Sequence, residues 1–487
     1  MIKQVKNLVN GQWIKSNKNI LIPHALTGKP NFYVADTKLN ELKPFVESLK
    51  RVSKTGLHNP FKNPERYNLL GDVCFRTANQ LHNKNVENDI IDQIISVTGK
   101  SYQQAFSELR VTRRFLENFS GDQVRFTAKG FNVSGDHFGQ MSNGFRWPYG
   151  PVAIIAPFNF PLEIPLLQLM GALFMGNKPI LKVDSKVSIV MESILKLLHQ
   201  NGLPARDVDF INCNGNVMNQ LLLESQPRMT QFTGSSKIAN KLCIDLNGKI
   251  KIEDAGFDWK IIGPKKDLCF DTICKISTND AYQFSGQKCS AQSILFIHDS
   301  WNLKEFKTTL KKLANQIEMG PVLSWTSDAM LNHVNEVLKI EGAELWFGNK
   351  KLKSNSIPEN YGYIKPTSVY LPIEKINDTN FKLVTQEIFG PVQIISSYSK
   401  IDDVIGLCNK MEEHLTAAIV SNDPKFNNYV IGNTVNGTTY VGEKARTTGA
   451  PQNHWFGPAG DPRAAGIGTP EAIVQTWSCH REIINDF

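Results

Sequence analysis

The sequence predicts an α/β fold made of two consecutive blocks in which strands and helices alternate, together with a small β ribbon. In residues 150–264, each short run of buried-strand character precedes a helical pattern, as 152–156 precedes 162–175. This alternation favours a parallel sheet covered by helices, with a ligand at the carboxyl ends of the strands. Residues 265–463 show a second α/β block. The predicted strands are 152–156, 179–183, 208–213, 230–233 and 250–252, then 294–297, 343–347, 368–371, 392–397, 416–420 and 438–441.

The remaining segments form an N-terminal layer, a ribbon and a tail. Residues 123–147 alternate polar and apolar side chains and predict a two-stranded ribbon from 124–127 and 145–147, which needs another surface to cover it. The tail, 472–484, fits a strand or a short helix. The N-terminal layer reads as short strands over 7–35 and then as helices at 39–52, 67–83, 86–98 and 102–119.

Composition narrows the class of protein. The 487 residues are enough for two or three domains, and the formal net charge of +8 comes from scattered rather than clustered lysines and arginines. We therefore expect no nucleic-acid partner, although a modest positive field favours anionic substrates or dinucleotides. The eight cysteines form no CxxC pair, which predicts no structural metal site and a reducing compartment.

No apolar run has the features of a membrane span. The longest candidate, residues 161–175, contains the acid Glu163 and two prolines, so we expect no membrane association. The first ten residues are basic but lack the apolar core of a secretory signal.

The segment around Cys289 is the strongest candidate for a reactive site. Cys289 lies among small and polar residues in a turn-like stretch, 284–291, with Lys288 beside it. A thiol in such a turn can face a cleft, and its thiolate is a strong nucleophile. Taken alone, Cys289 could equally be an incidental thiol.

Two further residues fit a reaction at a carbonyl carbon. Asn159 follows a predicted buried strand, where a carboxamide can donate to a developing oxyanion; the alternative is an ordinary turn asparagine. Glu253 ends another predicted strand, where burial can raise the pKa of a carboxylate and let it activate water; the alternative is an ion-paired or solvated acid.

Other residues at strand ends fit a dinucleotide, although no GxGxxG motif occurs at these turns. Gly234 and Ser235 open a predicted helix whose free N–H groups attract phosphate, or Ser235 is a simple N-cap. Lys182 ends a strand where it could reach ribose hydroxyls, and Glu387 could orient the hydroxyls of a ligand. The alternatives are a surface lysine and a loop acid.

The order and spacing of these residues resemble the aldehyde dehydrogenase family over nearly the whole chain. The most specific pieces are Pro157-Phe158-Asn159-Phe160-Pro161, Phe232-Thr233-Gly234-Ser235, the spacing from Glu253 to Cys289, and Glu387-Ile388-Phe389-Gly390-Pro391.

The resemblance implies a three-part subunit. Residues 1–123 and 148–263 match an NAD-binding domain on a variant doubly wound sheet, and 264–463 match an α/β catalytic domain. Residues 124–147 and 464–487 match a small β ribbon that pairs subunits, so a homodimer or a dimer of dimers is expected.

The resemblance also assigns roles. Cys289 is implied as the nucleophile, Asn159 and the backbone N–H of Cys289 as the oxyanion hole, and Glu253 as the general base. For the cofactor, the implied contacts are Lys182 and Glu387 on the two riboses, Gly234 and Ser235 at the pyrophosphate, and Phe389 beside the nicotinamide.

Three positions depart from the family pattern. Asp254-Ala255-Gly256-Phe257 replaces Leu-Gly-Gly-Lys after the base, and Phe158 replaces a tryptophan. Ser185 stands where NAD-preferring members often carry a glutamate on the adenosine ribose. NAD is the expected cofactor, but a serine would not repel the 2′-phosphate of NADP, so NADP stays open.

Within the family, residues 115–126, 253–260 and 286–291 resemble the Δ1-pyrroline-5-carboxylate dehydrogenases, the plant-type branch in particular. The implied substrate is L-glutamate γ-semialdehyde, the open form of pyrroline-5-carboxylate, and the product is glutamate. Implied substrate contacts are the loop residues Gly449 and Ala450 and the hydroxyl of Ser290 for the carboxylate, Phe160 and Phe456 for the aliphatic middle, and Glu108 for the ammonium, with a helix-surface role for Glu108 as the alternative.

Two other functions and two compartments stay open. The enzyme could oxidise another small anionic semialdehyde, or the chain could be a cysteine hydrolase that needs no nucleotide. We expect a cytoplasmic protein, with the mitochondrial matrix as the alternative if the chain is a processed form.

Overall fold

The computed structural model describes residues 2–254, 256–354, 356–449 and 454–487. Its N-terminal third comprises β1 (Lys3–Val5), β2 (Asn7–Val9), β3 (Gln12–Ile14), β4 (Asn19–Pro23), β5 (Pro30–Ala35), α1 (Lys43–Lys50), α2 (Glu65–Gln80), α3 (Lys84–Thr98), α4 (Tyr102–Asn118), α5 (Gln123–Phe126), β6 (Asn132–Ser134) and β7 (Gln140–Pro148). The first α/β block comprises β8 (Pro151–Ala156), α6 (Glu163–Phe174), β9 (Lys178–Val183), α7 (Ser188–Gln200), β10 (Asp209–Phe210), α8 (Gly215–Ser225), β11 (Met229–Thr233), α9 (Ser236–Asp245) and β12 (Ile250–Glu253).

The second block and the tail follow. They comprise β13 (Asp258–Ile262), α10 (Phe270–Tyr282), β14 (Gln292–His298), α11 (Leu303–Ala314), α12 (Ser327–Val337), β15 (Glu344–Phe347), β16 (Thr367–Tyr370), α13 (Phe381–Val384), β17 (Val392–Tyr398), α14 (Ile401–Lys410), β18 (Thr416–Val420), α15 (Pro424–Gly432), β19 (Thr438–Val441), α16 (Pro470–Trp477) and β20 (Ser478–Asp486). Single helical turns lie at Leu39–Glu41, Ser185–Val187, Ala205–Asp207 and Ile373–Lys375.

The first sheet has the order β12-β11-β8-β9-β10-β2-β3. Strands β8 to β12 are parallel, and the N-terminal hairpin β2–β3 adds two antiparallel strands at one edge. Helix α6 crosses over between β8 and β9, and all of its residues are buried, which suits its nearly uniform apolar composition. The strand–helix rhythm therefore gives the parallel sheet that the sequence predicts.

The second sheet has the order β15-β16-β17-β14-β13-β18-β19, with only β15 antiparallel. Strand β13 pairs with β14 and β18 at its centre. The sequence pattern predicts no strand here and a domain boundary after residue 263. The pairing of β13 with β14 and β18 instead places residues 258–262 in the second sheet. The cause is composition, because Asp258 and Lys260 are both buried in β13 and interrupt its apolar pattern.

The β ribbon has three strands, in the order β20-β7-β6. The tail forms both of the structures considered, since α16 packs against α6 and β20 then pairs with β7 along its whole length. The predicted strand at 124–127 is wrong: residues 123–126 form the short helix α5, in which Arg125 Nε donates to Asp122 Oδ1 at 2.6 Å.

Helices α2, α3 and α4 form the N-terminal layer and have conventional ends. The Ser101 hydroxyl accepts from Gln104 N in a capping box at the start of α4, and Gly99 ends α3 with a φ of 72°. Among the described residues, none of the helices combines the length and the apolar character needed to cross a membrane.

Candidate active site

The site lies between the carboxyl edge of the first sheet and the amino edge of the second. In the parallel register, Ile155 is paired with both Lys182 and Phe232, and Thr233 is paired with Glu253, so these strands end side by side. The turns that follow them carry Asn159, Gly234 and Ser235. From the second sheet, Cys289 comes just before β14 and Phe389 just before β17. The candidates from both α/β blocks therefore meet at one cleft.

The turn before Cys289 has a left-handed backbone at three consecutive residues. Phe284 and Ser285 have φ values of 55° and 52°, and Gly286 follows at 70°. Left-handed conformations of non-glycine residues cost roughly 1–2 kcal/mol each, so the surrounding structure must enforce them. At Gly286 a Cβ would collide with the carbonyl oxygen of Gly390, which explains why a glycine stands there.

Hydrogen bonds from two side chains hold this turn. The Ser285 hydroxyl donates to Gly320 O and accepts from Gly320 N, both at 2.9 Å. The Gln287 carboxamide donates to Pro321 O at 2.9 Å and accepts from Leu323 N at 2.8 Å. Because Gln287 lies two residues before Cys289, these bonds to residues 320–323 hold the backbone that leads to Cys289 in place.

Cys289 opens onto a cavity of about 380 Å³. The structure brings seven of the predicted catalytic and substrate residues to its wall: Cys289, Glu253, Glu108, Phe160, Ser290, Gly449 and Phe456. Ala450, the second predicted loop residue, lies outside the described residues.

Glu253 is the acid on the cavity wall whose charge acts most strongly on the Cys289 thiol. Its side chain is 2% exposed, and burial raises its pKa to about 7, a rise that a hydrogen bond from the Cys289 thiol opposes. Its Oε2 atom has no hydrogen-bond partner among the described residues. A buried carboxylate with a pKa near neutrality and a free oxygen is suited to accept protons.

Burial and neighbouring charges favour the protonated form of the Cys289 thiol. Burial raises its pKa well above the usual value, and the charges of Glu253 and Asp258 raise it further. Transfer of the thiol proton to Glu253 removes the contribution of the Glu253 charge, while the larger contribution of burial remains.

Asn159 is anchored to the nucleophile loop. Its Nδ2 donates to Gln287 O at 3.2 Å, while its Oδ1 is buried without a partner among the described residues. It lies outside the set of described residues that line the cavity. Its amide nitrogen has a second hydrogen, which remains available to an oxyanion beside Cys289.

Glu108 is buried, so the helix-surface alternative considered for it is wrong. Its Oε2 accepts from Lys100 Nζ at 2.6 Å. Its Oε1 accepts from Leu162 N at 2.9 Å and from Glu163 N at 3.2 Å. Both oxygens are thus engaged at the start of α6, so a substrate ammonium would have to compete with Lys100.

Lys100 is enclosed on its other sides by aromatic rings. Its Nζ lies 3.9 Å from the ring centroid of Phe160 and 4.6 Å from that of Phe284. The Phe160 ring therefore covers the ion pair while also lining the cavity.

A second buried ion pair holds the loop that carries Gly449. Lys260 Nζ lies 2.7 Å from Asp280 Oδ2, and Asp280 accepts from Thr447 N at 2.9 Å and from Thr448 Oγ1 at 2.8 Å. At Gly449 a Cβ would collide with the Tyr440 hydroxyl, so this position needs a glycine.

Five of the predicted cofactor residues lie at the carboxyl edge of the first sheet or opposite it. Ser235 precedes α9 and does not cap it, and Gly234 N donates to Glu253 O at 3.2 Å. The Phe389 ring meets Phe158 edge to face with centroids 5.8 Å apart. Burial raises the pKa of Glu387 well above its usual value. Lys182 lies in β9, one residue before its end.

Ser185, the sixth, begins the helical turn after β9. Ser235, at the start of α9, makes no side-chain capping bond, so its hydroxyl is free to meet a phosphate group there. Among the described residues, no group of three or more His, Cys, Asp and Glu side chains is arranged to hold a metal ion.

Several cavity residues escape the sequence analysis. Lys100, Glu163, Lys288 and Arg446 all line the cavity. For Glu163 a signal exists, since a lone acid in an otherwise apolar helical run is rarely buried without purpose. For Lys100 and Arg446 no local pattern distinguishes them from surface residues.

Sequence comparison identifies relatives over the full length. A sequence model described as "Aldehyde dehydrogenase family" matches residues 63–469. A "Probable aldehyde dehydrogenase" of Linum usitatissimum is 57% identical over 491 residues, covering 99% of this chain and 89% of the relative. The Arabidopsis thaliana protein named "Delta-1-pyrroline-5-carboxylate dehydrogenase 12A1, mitochondrial" is 56% identical over 493 residues, covering 99% and 88%.

Solved structures share the fold at low identity. Aldehyde dehydrogenase 21 of Physcomitrella patens, in complex with the reaction product succinate, has a TM-score of 0.83 at 17% identity and covers 100% of this chain and 98% of its own. Betaine aldehyde dehydrogenase of Staphylococcus aureus, in complex with NAD+, has a TM-score of 0.82 at 18% identity, covering 98% and 94%. The family model matches residues 63–469 of the 487, and two relatives are more than half identical to this chain. The chain therefore belongs to the aldehyde dehydrogenase family of oxidoreductases.

Proposed function

We propose that the protein oxidises L-glutamate γ-semialdehyde, the open form of Δ1-pyrroline-5-carboxylate, to L-glutamate in proline catabolism, with NAD as the cofactor. The observation that carries the proposal is that the Cys289 thiol and the buried Glu253 carboxyl group, whose raised pKa suits it to accept a proton, line one substrate-sized cavity. The Arabidopsis relative, 56% identical, is named for this activity.

The charges of the cavity support a substrate with an anionic end. Lys288 and Arg446 line it, and burial lowers the pKa of Lys288 to about 8. A bound carboxylate would favour the charged form of Lys288 and relieve this effect of burial. Ser290 and the loop residue Gly449 lie on the same wall.

The first half of the reaction takes place on the nucleophile. Glu253 accepts the thiol proton, and the Cys289 sulfur forms a bond to the aldehyde carbon. The second amide hydrogen of Asn159 stabilises the resulting oxyanion, together with the backbone N–H of Cys289. A bound nicotinamide dinucleotide would supply the hydride acceptor, and loss of hydride from this carbon would leave the substrate joined to Cys289 as a thioester.

The second half is hydrolysis. Once Glu253 has released its first proton, it deprotonates a water molecule that attacks the thioester carbon. The C–S bond then breaks, the carboxylic acid so formed gives its proton to the Cys289 thiolate, and the product leaves as a carboxylate with the thiol restored. The pKa of Glu253, about 7, suits both proton transfers.

The cofactor contacts are also part of the proposal. Lys182 and Glu387 would hold the two riboses, with Ser185 beside the adenosine ribose. Gly234 and Ser235 would hold the pyrophosphate, and Phe389 would lie beside the nicotinamide. The Ser235 hydroxyl, which makes no capping bond at the start of α9, supports this assignment. NADP is the alternative cofactor.

The ribbon formed by β6, β7 and β20 is the proposed subunit contact of a homodimer or a dimer of dimers. It exposes Val133, Met141 and Ile484, which are 53%, 44% and 58% exposed in the single chain. The word "mitochondrial" in the name of the Arabidopsis relative favours the matrix over the cytoplasm as the compartment.

The test is steady-state kinetics with pyrroline-5-carboxylate and with succinic semialdehyde, each with NAD and NADP, read from NADH or NADPH formation. We expect pyrroline-5-carboxylate and NAD to give the highest kcat/KM. A preference for succinic semialdehyde would favour the other anionic substrate class, and ester hydrolysis without any nucleotide requirement would favour the hydrolase. Cys289→Ala should reduce turnover by roughly 10⁴-fold or more, since no covalent intermediate can form.

A further inference from the structure

Glu163 is an acid on the cavity wall whose carboxyl group has no hydrogen-bond partner among the described residues. It is the first residue of α6, it lines the cavity, and its side chain is only 8% exposed. Its carboxyl group accepts no hydrogen bond from the part of the chain that the structure describes. Its neighbour Glu108 is the opposite case, with both oxygens engaged by Lys100 and by backbone N–H groups.

The position of Glu163 in the cavity is fixed by its backbone. The N–H groups of Leu162 and Glu163 both donate to Glu108 Oε1, which ties the start of α6 to α4. The Lys100–Glu108 ion pair holds that carboxylate in place from the other side. The Glu163 carboxyl group is therefore presented to the cavity by a rigid support.

The charged groups around Glu163 leave it short of positive charge. Burial and the charges of Glu108 and Glu253 raise its pKa to about 8, while Lys100 and Lys288 act in the opposite direction. Lys100 is already bound to Glu108, and Lys288 Nζ donates to Gln283 Oε1 at 3.1 Å. Buried polar groups in native proteins are nearly always paired, so an acid on a cavity wall without a protein partner is available to pair with a ligand.

The ligand group that fits is an ammonium. It supplies up to three hydrogen-bond donors and a positive charge, and both stabilise an ionised carboxylate. The same cavity holds the nucleophile Cys289 and the positive side chains of Lys288 and Arg446. A substrate with an aldehyde, an ammonium and a carboxylate matches these three features.

We propose that Glu163, rather than Glu108, binds the α-ammonium group of the substrate, and that Glu108 and Lys100 position it. This inference rests on the proposed function and adds to it the residue that selects an amino-acid aldehyde over its analogue without the amino group.

The test compares two substrates that differ only in that group: L-glutamate γ-semialdehyde and glutaric semialdehyde. In Glu163→Gln the KM for the first should rise roughly ten- to a hundredfold, the effect of losing a hydrogen bond between two charged groups. The KM for the second should change by less than about twofold, because it makes no such bond. Equal changes for both substrates, or no change for either, would overturn the inference.

Two controls separate recognition from folding. Glu65 is the exposed first residue of α2, so Glu65→Gln removes a helix-start charge away from the cavity and should leave both KM values unchanged. Binding of L-glutamate and of glutarate to Cys289→Ala, with and without Glu163→Gln, measures the same selectivity without turnover. A Glu163→Gln protein that still prefers L-glutamate to glutarate as strongly as its parent would contradict the proposal.

The two proposals fail in different ways. A wild-type enzyme that does not oxidise pyrroline-5-carboxylate contradicts the proposed function. A wild-type enzyme that does so, but whose preference survives Glu163→Gln, contradicts only the role of Glu163.

Discussion

Two groups of polar residues lie at or beside the same cavity and differ in how well their hydrogen bonds are satisfied. Around Cys289, the buried atoms Glu253 Oε2 and Asn159 Oδ1 have no partner among the described residues. Around Lys100, both oxygens of Glu108 are engaged, and the ammonium lies against two aromatic rings. The difference separates residues kept ready for reacting groups from residues that hold the wall in place. Glu163 lies beside the second group but has the unpaired character of the first.

The largest effect that would test this comparison is on turnover. Glu253→Gln should lower the steady-state rate by about 10²- to 10⁴-fold, because an amide cannot accept the proton of the hydrolytic water. Because Glu253 also accepts the thiol proton, the first turnover, seen as a burst of NADH in rapid-mixing experiments, should slow together with the steady-state rate. Full steady-state activity in this variant would remove Glu253 from the role of base.

The next effect is on stability and concerns the satisfied group. Glu108→Gln should lower the free energy of unfolding by about 3–5 kcal/mol, because it leaves Lys100 buried without a counter-charge. Chemical denaturation monitored by circular dichroism measures this loss.

Glu117→Gln provides the matched control on the same helix. Glu117 makes its ion pairs near the surface, so its loss should cost no more than about 1 kcal/mol. Equal losses in the two variants would show that the Lys100–Glu108 pair has no special structural role.

The smallest effect runs in the opposite direction. The pKa of Glu253 is raised to about 7 in the folded state, so the unfolded chain releases this proton first and folding stability falls as pH rises towards 7. The penalty at pH 8 is about 3 kcal/mol, by the conversion from pKa shift to free energy. Glu253→Gln lacks it and should therefore gain about that much stability relative to wild type between pH 5 and pH 8, measured by denaturation at both pH values. A pH-independent difference would show that Glu253 carries no such penalty.

The predictions about the fold succeed where local pattern and tertiary structure agree. The alternation over 150–264 predicts the parallel sheet because each strand is followed directly by the helix that covers it. Strand β13 is missed since the buried Lys260 has its partner, Asp280, in the following helix α10, and no local pattern announces that pairing. Residues 124–127 are read as a strand because four alternating residues do not distinguish a strand from a single helical turn.

The sequence by itself determines the family, and it proposes the reacting residues, because the chemistry requires a thiol, an acid and an amide at recognisable strand ends. Only the tertiary structure decides which of two nearby acids is free to meet a ligand. Glu108 and Glu163 lie 55 residues apart along the chain and share one helix start. Their roles depend on which of them Lys100 neutralises, and Glu163 comes beside the Lys100–Glu108 pair only once α4 packs against α6.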